Sequence, residues 1–243
     1  MPSFIEEEQL AAQGYRLIAG IDEAGRGALA GPVVAAAVIL PVSLDAATLD
    51  GVRDSKLLSP AKRERFFHHI YELAVSVGVG MAPHYLVDSL GIIKATRIAM
   101  KQAIERLSPF PESLLIDYMR LPDVKLPQKG ITHGDDLCFS IACASIIAKV
   151  ARDWMMVEFD RLYPGYGLAQ HKGYGTRQHV ACLARLGACP IHRRTFRPVR
   201  EVVGGLFSKS NILREKENRD EQEGDTGILE RQPRLLPGYS GGE

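Results

Sequence analysis

Hydrophobic residues in the first half of the chain fall into short runs that are typical of buried strands. Apolar runs at 17–21 and 33–40 flank residues 22–32, a segment with several glycines that ends in proline, and this pattern predicts a β-hairpin. Valine alternates with small residues around 76–81 and predicts a third strand. A fourth strand is predicted at 114–116, where consecutive aliphatic residues precede Asp117.

Helix starts are marked by capping residues and by helical spacing. Ser59 followed by Pro60 is a typical helix start, and this helix is predicted to end near Leu73. Further helices are predicted at 92–107, at 137–162 and after Thr176. Strands in a meander, followed by strands that alternate with helices, favour an α/β fold with a mixed sheet flanked by helices.

The last part of the chain differs in character from the rest. From Lys209 onward, six basic and eight acidic residues stand among few large apolar ones, and prolines and glycines follow. We therefore expect one domain over 1–207, with a helical C-terminal part, and a disordered tail over 208–243.

Composition narrows the class of protein. The 243 residues are 46% hydrophobic and 24% charged, as is usual for a globular protein. The chain has no run of about 18 apolar residues, so no membrane span is predicted. The acidic residues 1–8 lack the pattern of a secretory signal, so a cytoplasmic location is expected. No C-x-x-C pair occurs, and reduced, mostly buried thiols are predicted for Cys138, Cys143, Cys182 and Cys189.

The positive charges are unevenly distributed. Net charge is only +1, yet between Lys149 and Arg200 ten basic residues stand against three acidic ones, a local net charge of +7. A basic region beside clustered carboxylates suits an enzyme that holds phosphates on one side and cations on the other. A basic helix that is merely solvated explains the charge alone equally well.

The most informative local motif is Gly-Ile-Asp-Glu-Ala-Gly-Arg-Gly at 20–27. Asp22 and Glu23 follow an apolar strand and precede a glycine turn. Neighbouring strand residues point to opposite faces, so we expect a bend at the strand end to bring one of these side chains toward a cation. Oxygen ligands suit Mg²⁺, although a solvated turn is the more common role for such a pair.

Further aspartates are candidates for the same site. Asp117 ends a predicted buried strand, where a charge costs desolvation free energy unless it is paired. Asp135 and Asp136 precede a long helix, so we expect one of them to cap it and the other to face cations. Together Asp22, Glu23, Asp117 and Asp135 are expected to meet at one sheet edge, a constellation that suits two-metal phosphodiester hydrolysis.

Glycine-rich segments supply candidate contacts to phosphate and sugar. Gly25 and Gly27 allow close backbone approach, and Arg26 between them is suited to grip a phosphate. No Gly-Lys-Ser/Thr follows, which excludes a P-loop nucleotide triphosphatase. Tyrosines among glycines at 163–167 and 171–176, and the basic turn at 191–196, suit contacts to a nucleic-acid strand. Taken alone, the tyrosine segments are slightly better explained by packing in a glycine-rich loop, and the basic turn is explained equally well by solvation.

Together these segments resemble the type 2 ribonuclease H family, and within it bacterial ribonuclease HII, over roughly 18–199. The matching motifs, in chain order, are residues 20–33, 53–56, 140–153, 171–174 and 192–194. Each motif alone is weak support, whereas all of them in order are highly specific.

The resemblance implies an RNase H-like fold with a C-terminal helical extension, and a metal-dependent endonuclease that uses Mg²⁺ or Mn²⁺. The implied substrates are RNA–DNA hybrids and DNA duplexes that contain ribonucleotides. In the latter, cleavage is expected on the 5′ side of a single ribonucleotide, leaving 3′-hydroxyl and 5′-phosphate ends, as in ribonucleotide excision repair. A monomer is expected.

Roles follow from position in the motifs. The catalytic, metal-binding carboxylates are expected to be Asp22, Glu23, Asp117 and Asp135. The ribose 2′-hydroxyl, which distinguishes RNA from DNA, is expected to meet Gly25, Arg26, Gly27 and Tyr174. Phosphate contacts are expected from Lys56, Lys172, Arg193 and Arg194.

Three positions depart from the family pattern. Tyr118 follows Asp117 where glycine is usual, which puts the local geometry in question. His133 stands where a lysine is usual, two positions before the fourth carboxylate. Cys143 replaces a common alanine in the long helix.

Two other functions are compatible with parts of the sequence. A nuclease of the same fold with another substrate, such as a junction resolvase or a DNA exonuclease, is disfavoured by Gly25-Arg26-Gly27 and Tyr174, which suit one ribose. A catalytically silent nucleic-acid-binding module is disfavoured because all four carboxylates are present.

Overall fold

One mixed sheet lies at the centre of the computed structural model, which describes residues 2–53 and 55–205. Its strands are β1 Ile18–Ala24, β2 Val33–Ile39, β3 Ser76–Ala82, β4 Ser113–Asp117 and β5 Gln128–Ile131. The order across the sheet is β3-β2-β1-β4-β5. The pairs β1–β2 and β2–β3 are antiparallel, whereas β1–β4 and β4–β5 are parallel.

Helices surround this sheet. They are α1 Ile5–Ala12, α2 Pro60–Leu73, α3 His84–Leu90, α4 Ile92–Glu105, α5 Gly134–Leu137, α6 Phe139–Leu162, α7 Leu168–His171, α8 Arg177–Leu186 and α9 Arg197–Val203. Short 3₁₀ segments occupy Ala46–Leu49 and Ser55–Leu57. No helix in the part of the chain that the structure describes is long and apolar enough to cross a membrane.

The two long helices cover opposite faces of the sheet, α4 on one side and α6 on the other. Glycines in the strands allow this close packing. A Cβ on Gly20 of β1 would lie 2.1 Å from the Ser140 carbonyl carbon of α6, and one on Gly80 of β3 would lie 2.1 Å from the Ala99 oxygen of α4. β2, in the middle of the antiparallel part, is buried along its whole length. The sheet is therefore a rigid layer with an apolar core on both faces.

Most predicted elements are confirmed. The hairpin, the third strand, the strand before Asp117 and the mixed sheet flanked by helices are all present. The Ser59 hydroxyl accepts a hydrogen bond from the Lys62 amide at 3.3 Å, so it caps α2 as expected. Thr176 caps α8 in the same way by accepting from the His179 amide. All four cysteines are free thiols, and three of them are buried.

The prediction that Asp135 or Asp136 caps the long helix is wrong. Both residues lie inside the short helix α5, and α6 begins only at Phe139. The N-terminus of α6 is capped from a distance instead, because Glu7 of α1 accepts hydrogen bonds from the Ser140 amide at 2.9 Å and the Ser140 hydroxyl at 2.7 Å. A cap that comes from another element leaves no signal at the helix start itself.

Further elements were not predicted from the sequence: strand β5 and helices α1, α3, α5, α7 and α9. Residues Met1–Gly204 form one compact unit. The predicted tail, 208–243, lies outside the described residues.

Candidate active site

Strands β1 and β4 bring two carboxylates side by side. The strands run parallel with Ile21 opposite Ile116, so Asp22 and Asp117 follow them at the same level of the sheet. Burial, followed by the negative charges of Glu23 and Asp117, raises the pKa of Asp22 well above its usual range. Burial also raises the pKa of Asp117.

The fourth predicted carboxylate reaches the same place from α5. The Gly134 amide donates a hydrogen bond to Asp117 Oδ1 at 2.8 Å, and Asp135, the next residue, is buried. Lys56 approaches from the 3₁₀ segment, with its Nζ 3.5 Å from Asp135 Oδ2 and its side chain 75% exposed. The structure therefore links Asp22, Asp117, Asp135 and Lys56 in one cluster.

Glu23 belongs to the cluster without the expected bend at Asp22. β1 continues through Ala24, and the chain turns only at Gly25. Burial raises the pKa of Glu23, opposed by Arg26, whose guanidinium donates to Oε1 at 3.0 Å, while the charge of Asp117 raises it further. The other oxygen, Oε2, is buried and has no hydrogen-bond partner among the described residues.

Two hydroxyl groups without a role predicted from the sequence, those of Ser145 and Ser55, support Asp22. Asp22 accepts hydrogen bonds from the Ser145 side chain and, at 2.6 Å, from the Glu23 amide. The Ser145 hydroxyl lies 3.0 Å from that of Ser55, which precedes Lys56. Arg63 holds this turn, because it donates to the Ser55 carbonyl oxygen at 2.8 Å. Both serines lie in segments that match the family pattern, 53–56 and 140–153, but the pattern alone assigned them no role.

The cluster is open rather than a ready-made cation cage. Within residues 2–53 and 55–205, no three His, Cys, Asp or Glu side chains form a group that by itself could hold a metal ion. Mg²⁺ usually binds through one or two carboxylates together with waters and substrate phosphates. Crowded carboxylates with raised pKa values, and the partnerless Glu23 Oε2, fit such a cation once a phosphate is present.

The glycine loop, residues 25–31, follows this cluster directly. Gly25 has φ +91°, and a Cβ there would lie 1.9 Å from Arg152 Nε, so both the conformation and the space require glycine. Gly27 is exposed, and Arg26 is partly exposed beside Glu23. Of the three predicted loop residues, Arg26 contacts the carboxylate cluster directly, through its ion pair with Glu23.

Two buried arginines, Arg152 and Arg193, form a clamp under the glycine loop. Arg152 donates to the carbonyl oxygens of Ala30 at 3.1 Å and Pro32 at 2.9 Å. Arg193 donates twice to the Gly31 oxygen, at 2.9 and 3.1 Å. This arginine clamp fixes the backbone of the loop, since carbonyl oxygens can only accept.

The position of Arg193 contradicts the expectation that this residue contacts a phosphate. Arg193 is fully buried, and its remaining bond, at 2.8 Å, goes to the carbonyl oxygen of Arg26. It therefore holds the loop and does not face solvent. Arg194, the next residue, is exposed, and its backbone amide donates to Asp88 at 2.9 Å.

Tyr174 lies over the arginine clamp. Its ring centroid is 5.2 Å from the Arg152 guanidinium carbon and 5.5 Å from Lys149 Nζ, within the range of cation–π contacts. Tyr174 also forms an isolated bridge with Ala28 of the glycine loop. Lys172 is partly buried; its Nζ donates to the Ala169 carbonyl oxygen.

Three residues other than glycine have left-handed backbone conformations among the described residues. They are Tyr118 at φ +60°, His133 at φ +57° and Lys172 at φ +52°. Tyr118 and His133 are two of the positions that depart from the family pattern, and both adjoin the carboxylate cluster. Glycine, the usual residue at 118, adopts this conformation without steric cost.

Comparison with known proteins matches these features to one family. Residues 19–199 match the family Ribonuclease HII. A ribonuclease HII from Dehalococcoides mccartyi is 59% identical over 205 residues, which are 84% of this chain and 97% of that protein. The crystal structure of ribonuclease H2 from Pyrococcus horikoshii OT3 superposes with a TM-score of 0.62 at 25% identity, covering 79% of this chain and 99% of that one. Bst-RNase HIII in complex with Mn²⁺ has the same fold, with a TM-score of 0.64 at 20% identity over 84% of this chain and 73% of that one.

These matches confirm the RNase H-like fold and cover the carboxylate cluster, the glycine loop and the arginine clamp. The chain belongs to the ribonuclease HII family, and it is a ribonuclease H that acts on RNA–DNA hybrids.

Proposed function

We propose that this enzyme also cuts duplex DNA on the 5′ side of a single embedded ribonucleotide, leaving 3′-hydroxyl and 5′-phosphate ends. The observation that carries the proposal is the direct continuity between the carboxylate cluster and the glycine loop, joined by the ion pair of Glu23 and Arg26 at 3.0 Å. A hydrolytic centre beside a rigid, backbone-lined loop suits recognition of one sugar at the point of cleavage.

The carboxylates Asp22, Glu23, Asp117 and Asp135 are the proposed cation ligands. The raised pKa values of Asp22, Glu23 and Asp117 support this assignment, because a nearby positive charge stabilises the ionised form of crowded, buried carboxyls most. We propose that two Mg²⁺ or Mn²⁺ ions bind there. When bound, they would supply an activated water and charge stabilisation for the leaving oxygen. The Ser145 and Gly134 hydrogen bonds orient Asp22 and Asp117 for this role.

The glycine loop is the proposed ribose-binding element. Backbone amides at Gly25 and Gly27, with the side chain of Arg26, are suited to contact the 2′-hydroxyl and the adjacent phosphate. Tyr174, whose ring is held by Arg152, is proposed to pack on the same sugar. An all-DNA strand lacks the 2′-hydroxyl and leaves these polar groups unpaired, which disfavours its cleavage.

Phosphates on either side of the cut are proposed to meet exposed cations. Lys56, near Asp135, and Arg194 are exposed and suit this role. Lys172, partly buried, is proposed to contribute at the edge of the same surface. These contacts supply salt-dependent affinity rather than recognition of the ribose.

A cleavage assay tests the proposal. A labelled DNA duplex with one ribonucleotide is incubated with the enzyme and Mg²⁺ or Mn²⁺, beside an all-DNA duplex and a long RNA–DNA hybrid. We expect a single cut 5′ of the ribonucleotide, abolished by EDTA, and none in the all-DNA control. Cleavage of the hybrid alone would refute the single-ribonucleotide activity, and equal cutting of all-DNA duplex would favour another nuclease of this fold.

We further propose that the enzyme acts as a monomer in the cytoplasm, a reducing compartment that suits its four free thiols. Size-exclusion chromatography with light scattering tests the monomer, and an apparent mass of twice 26.7 kDa would contradict it.

A further inference from the structure

Three buried histidines form a connected network behind Tyr174, outside the carboxylate cluster. His171 and His179 stack with ring centroids 4.3 Å apart and an interplanar angle of 17°. Nε2 of His179 lies 3.1 Å from Nε2 of His192. All three side chains are buried, so their ring nitrogens have to find partners within the protein.

The partners of His179 and His192 assign the hydrogen on each ring. His179 Nδ1 lies 2.9 Å from the Tyr174 carbonyl oxygen, which only accepts, so Nδ1 carries the hydrogen. In the neutral ring Nε2 is then an acceptor, and His192 donates to it through its own Nε2. The second nitrogen of His192, Nδ1, accepts from the Cys189 amide at 3.0 Å.

His171 is assigned in the same way. Its Nε2 donates to the Tyr166 carbonyl oxygen at 2.8 Å, and its Nδ1 accepts from the Gly173 amide at 3.2 Å. Every ring nitrogen of the network therefore has one role in a set of neutral tautomers. Burial lowers the pKa of His179, and that of His192 to about 4, which keeps both rings neutral near pH 7.

The network ends on the backbone that presents Tyr174. His179 fixes the Tyr174 carbonyl, and the Tyr174 amide donates to the His171 carbonyl oxygen at 3.0 Å. On the other side, His192 forms an isolated bridge with Ala30 of the glycine loop and precedes Arg193 of the clamp. The histidine network thus connects Tyr174 with the glycine loop through a rigid path.

We propose that His179 is a positioning residue, which sets the backbone of Tyr174 so that its ring meets the ribose at the cleavage site. This inference rests on the proposed ribose contact of Tyr174. His179 itself is fully buried and touches no substrate.

Two substitutions separate the two ends of the His179 ring. In H179N the side-chain amide replaces Nδ1–H and keeps the donor to the Tyr174 carbonyl. In H179Q the longer amide reaches toward His192 and gives up that donor. Y166F is a matched control, because it removes the 2.9 Å bond from the Tyr166 hydroxyl to the Gly187 oxygen in the same region without touching Tyr174.

Single-turnover cleavage of the one-ribonucleotide duplex is the readout, with thermal unfolding and affinity for all-DNA duplex measured alongside. H179Q is expected to lower the rate by about 10- to 100-fold, as a displaced positioning group does. H179N and Y166F are expected to stay within about threefold of the wild type, and affinity for all-DNA duplex is expected to be unchanged in all three.

A double variant tests whether His179 acts through Tyr174. Because the two residues share one role, adding Y174A to H179Q is expected to lower the rate by less than about twofold further. If the rate losses of H179Q and Y174A multiply in the double variant, the inference is overturned. It is also overturned if a folded H179N loses as much cleavage rate as H179Q. If H179Q does not fold, the rate of H179N decides: a near wild-type rate supports the inference and a large loss overturns it.

The ribose contact itself is checked by Y174A alone. A full rate in that variant would overturn the proposed role of Tyr174, and the inference with it. A large loss in Y174A beside a full rate in H179Q would leave the role of Tyr174 standing and overturn only the positioning by His179.

Discussion

The carboxylate cluster and the histidine–arginine region around Tyr174 differ in how fully their polar groups are satisfied. In the cluster, burial raises the pKa of Asp22, Glu23 and Asp117, and the charge of Asp117 raises the first two further. Glu23 Oε2 has no hydrogen-bond partner among the described residues. In the second region, both nitrogens of each histidine have partners, and the arginine clamp donates to backbone oxygens of the glycine loop.

This difference separates two tasks. A cluster of crowded, buried carboxylates gains free energy when cations and a phosphate arrive. A fully satisfied polar network gains nothing from a ligand and holds a fixed geometry instead. We therefore assign the proposed chemistry to the first region, and the positioning of the proposed ribose-contacting elements to the second.

Replacing a carboxylate has the largest expected effect. D22N should lower the cleavage rate by about 10³-fold or more, because it removes one of the proposed cation ligands. The neutral amide also relieves charge repulsion, since an ionised aspartate with a raised folded-state pKa disfavours folding. D22N should therefore stabilise the metal-free protein by on the order of 1 kcal/mol. Cleavage assays and thermal unfolding in EDTA measure the two effects, and an active or a destabilised D22N would contradict the comparison.

Arg193 and Arg194 are a matched pair of positions for testing the region around Tyr174. R193A should destabilise the fold by about 2–4 kcal/mol, since it leaves buried carbonyl oxygens without donors. R194A should change stability by less than about 0.5 kcal/mol. R194A should instead weaken duplex binding and lower its salt dependence by about one unit of slope. Urea unfolding measures the stability of both variants, and duplex binding at several salt concentrations measures their phosphate contacts. If R193A weakens binding and R194A destabilises the fold, Arg193 and not Arg194 contacts the phosphate.

The neutral histidine network predicts a pH dependence of stability. The pKa of His192 is lowered in the folded protein from 6.5 to about 4, so the unfolded chain takes up its proton first. The stability that wild type has over H192Q should therefore decrease as pH falls from about 6.5 to about 4. The carboxylates with raised pKa shift stability in the opposite direction, but they are common to both proteins and cancel. Parallel unfolding curves for the two proteins over this range would argue against a neutral His192.

The smallest effect is expected at the edge of the carboxylate cluster. Tyr118 is 66% exposed and has φ +60°, so its side chain adds strain and little packing. Y118G should stabilise the fold by about 0.5–1 kcal/mol. Glycine removes the strain of the left-handed conformation, but it also makes the unfolded chain more flexible, which offsets part of the gain. Y118A keeps the strain and serves as the control. Equal stability of the two variants would show that the strain is negligible.

The sheet was largely predictable because its signals are local. The runs at 17–21 and 33–40, the alternation in β3 and the capping serine of α2 each determine their own neighbourhood. The edge strand β5, Gln128–Ile131, is polar and short, so it has no apolar pattern to detect. Helix α1 was missed because its acidic first turn was considered only as a possible targeting signal, whereas Glu7 caps α6 from it.

The clustering of the carboxylates was predictable from the sequence, whereas the residues that hold the cluster and the glycine loop in place were not. Asp22 and Asp117 directly follow the apolar residues Ile21 and Ile116, which lie opposite each other in neighbouring parallel strands. Arg193 and Arg194 are indistinguishable in sequence, yet only the first is buried, because burial depends on the distant glycine loop that packs over it. Ser145 and the histidine network likewise acquire their roles from partners far away in the chain.

The pH dependence of the single-turnover cleavage rate at low and high Mg²⁺ shows directly whether the carboxylate cluster binds the catalytic cation. Protons and cations compete for the same oxygens when Asp22, Glu23 and Asp117 have raised pKa values and bind the metal. We expect the rate to fall as pH decreases, and we expect higher Mg²⁺ to move this fall to lower pH. An acidic limb that stays at the same pH at every Mg²⁺ concentration would contradict this expectation.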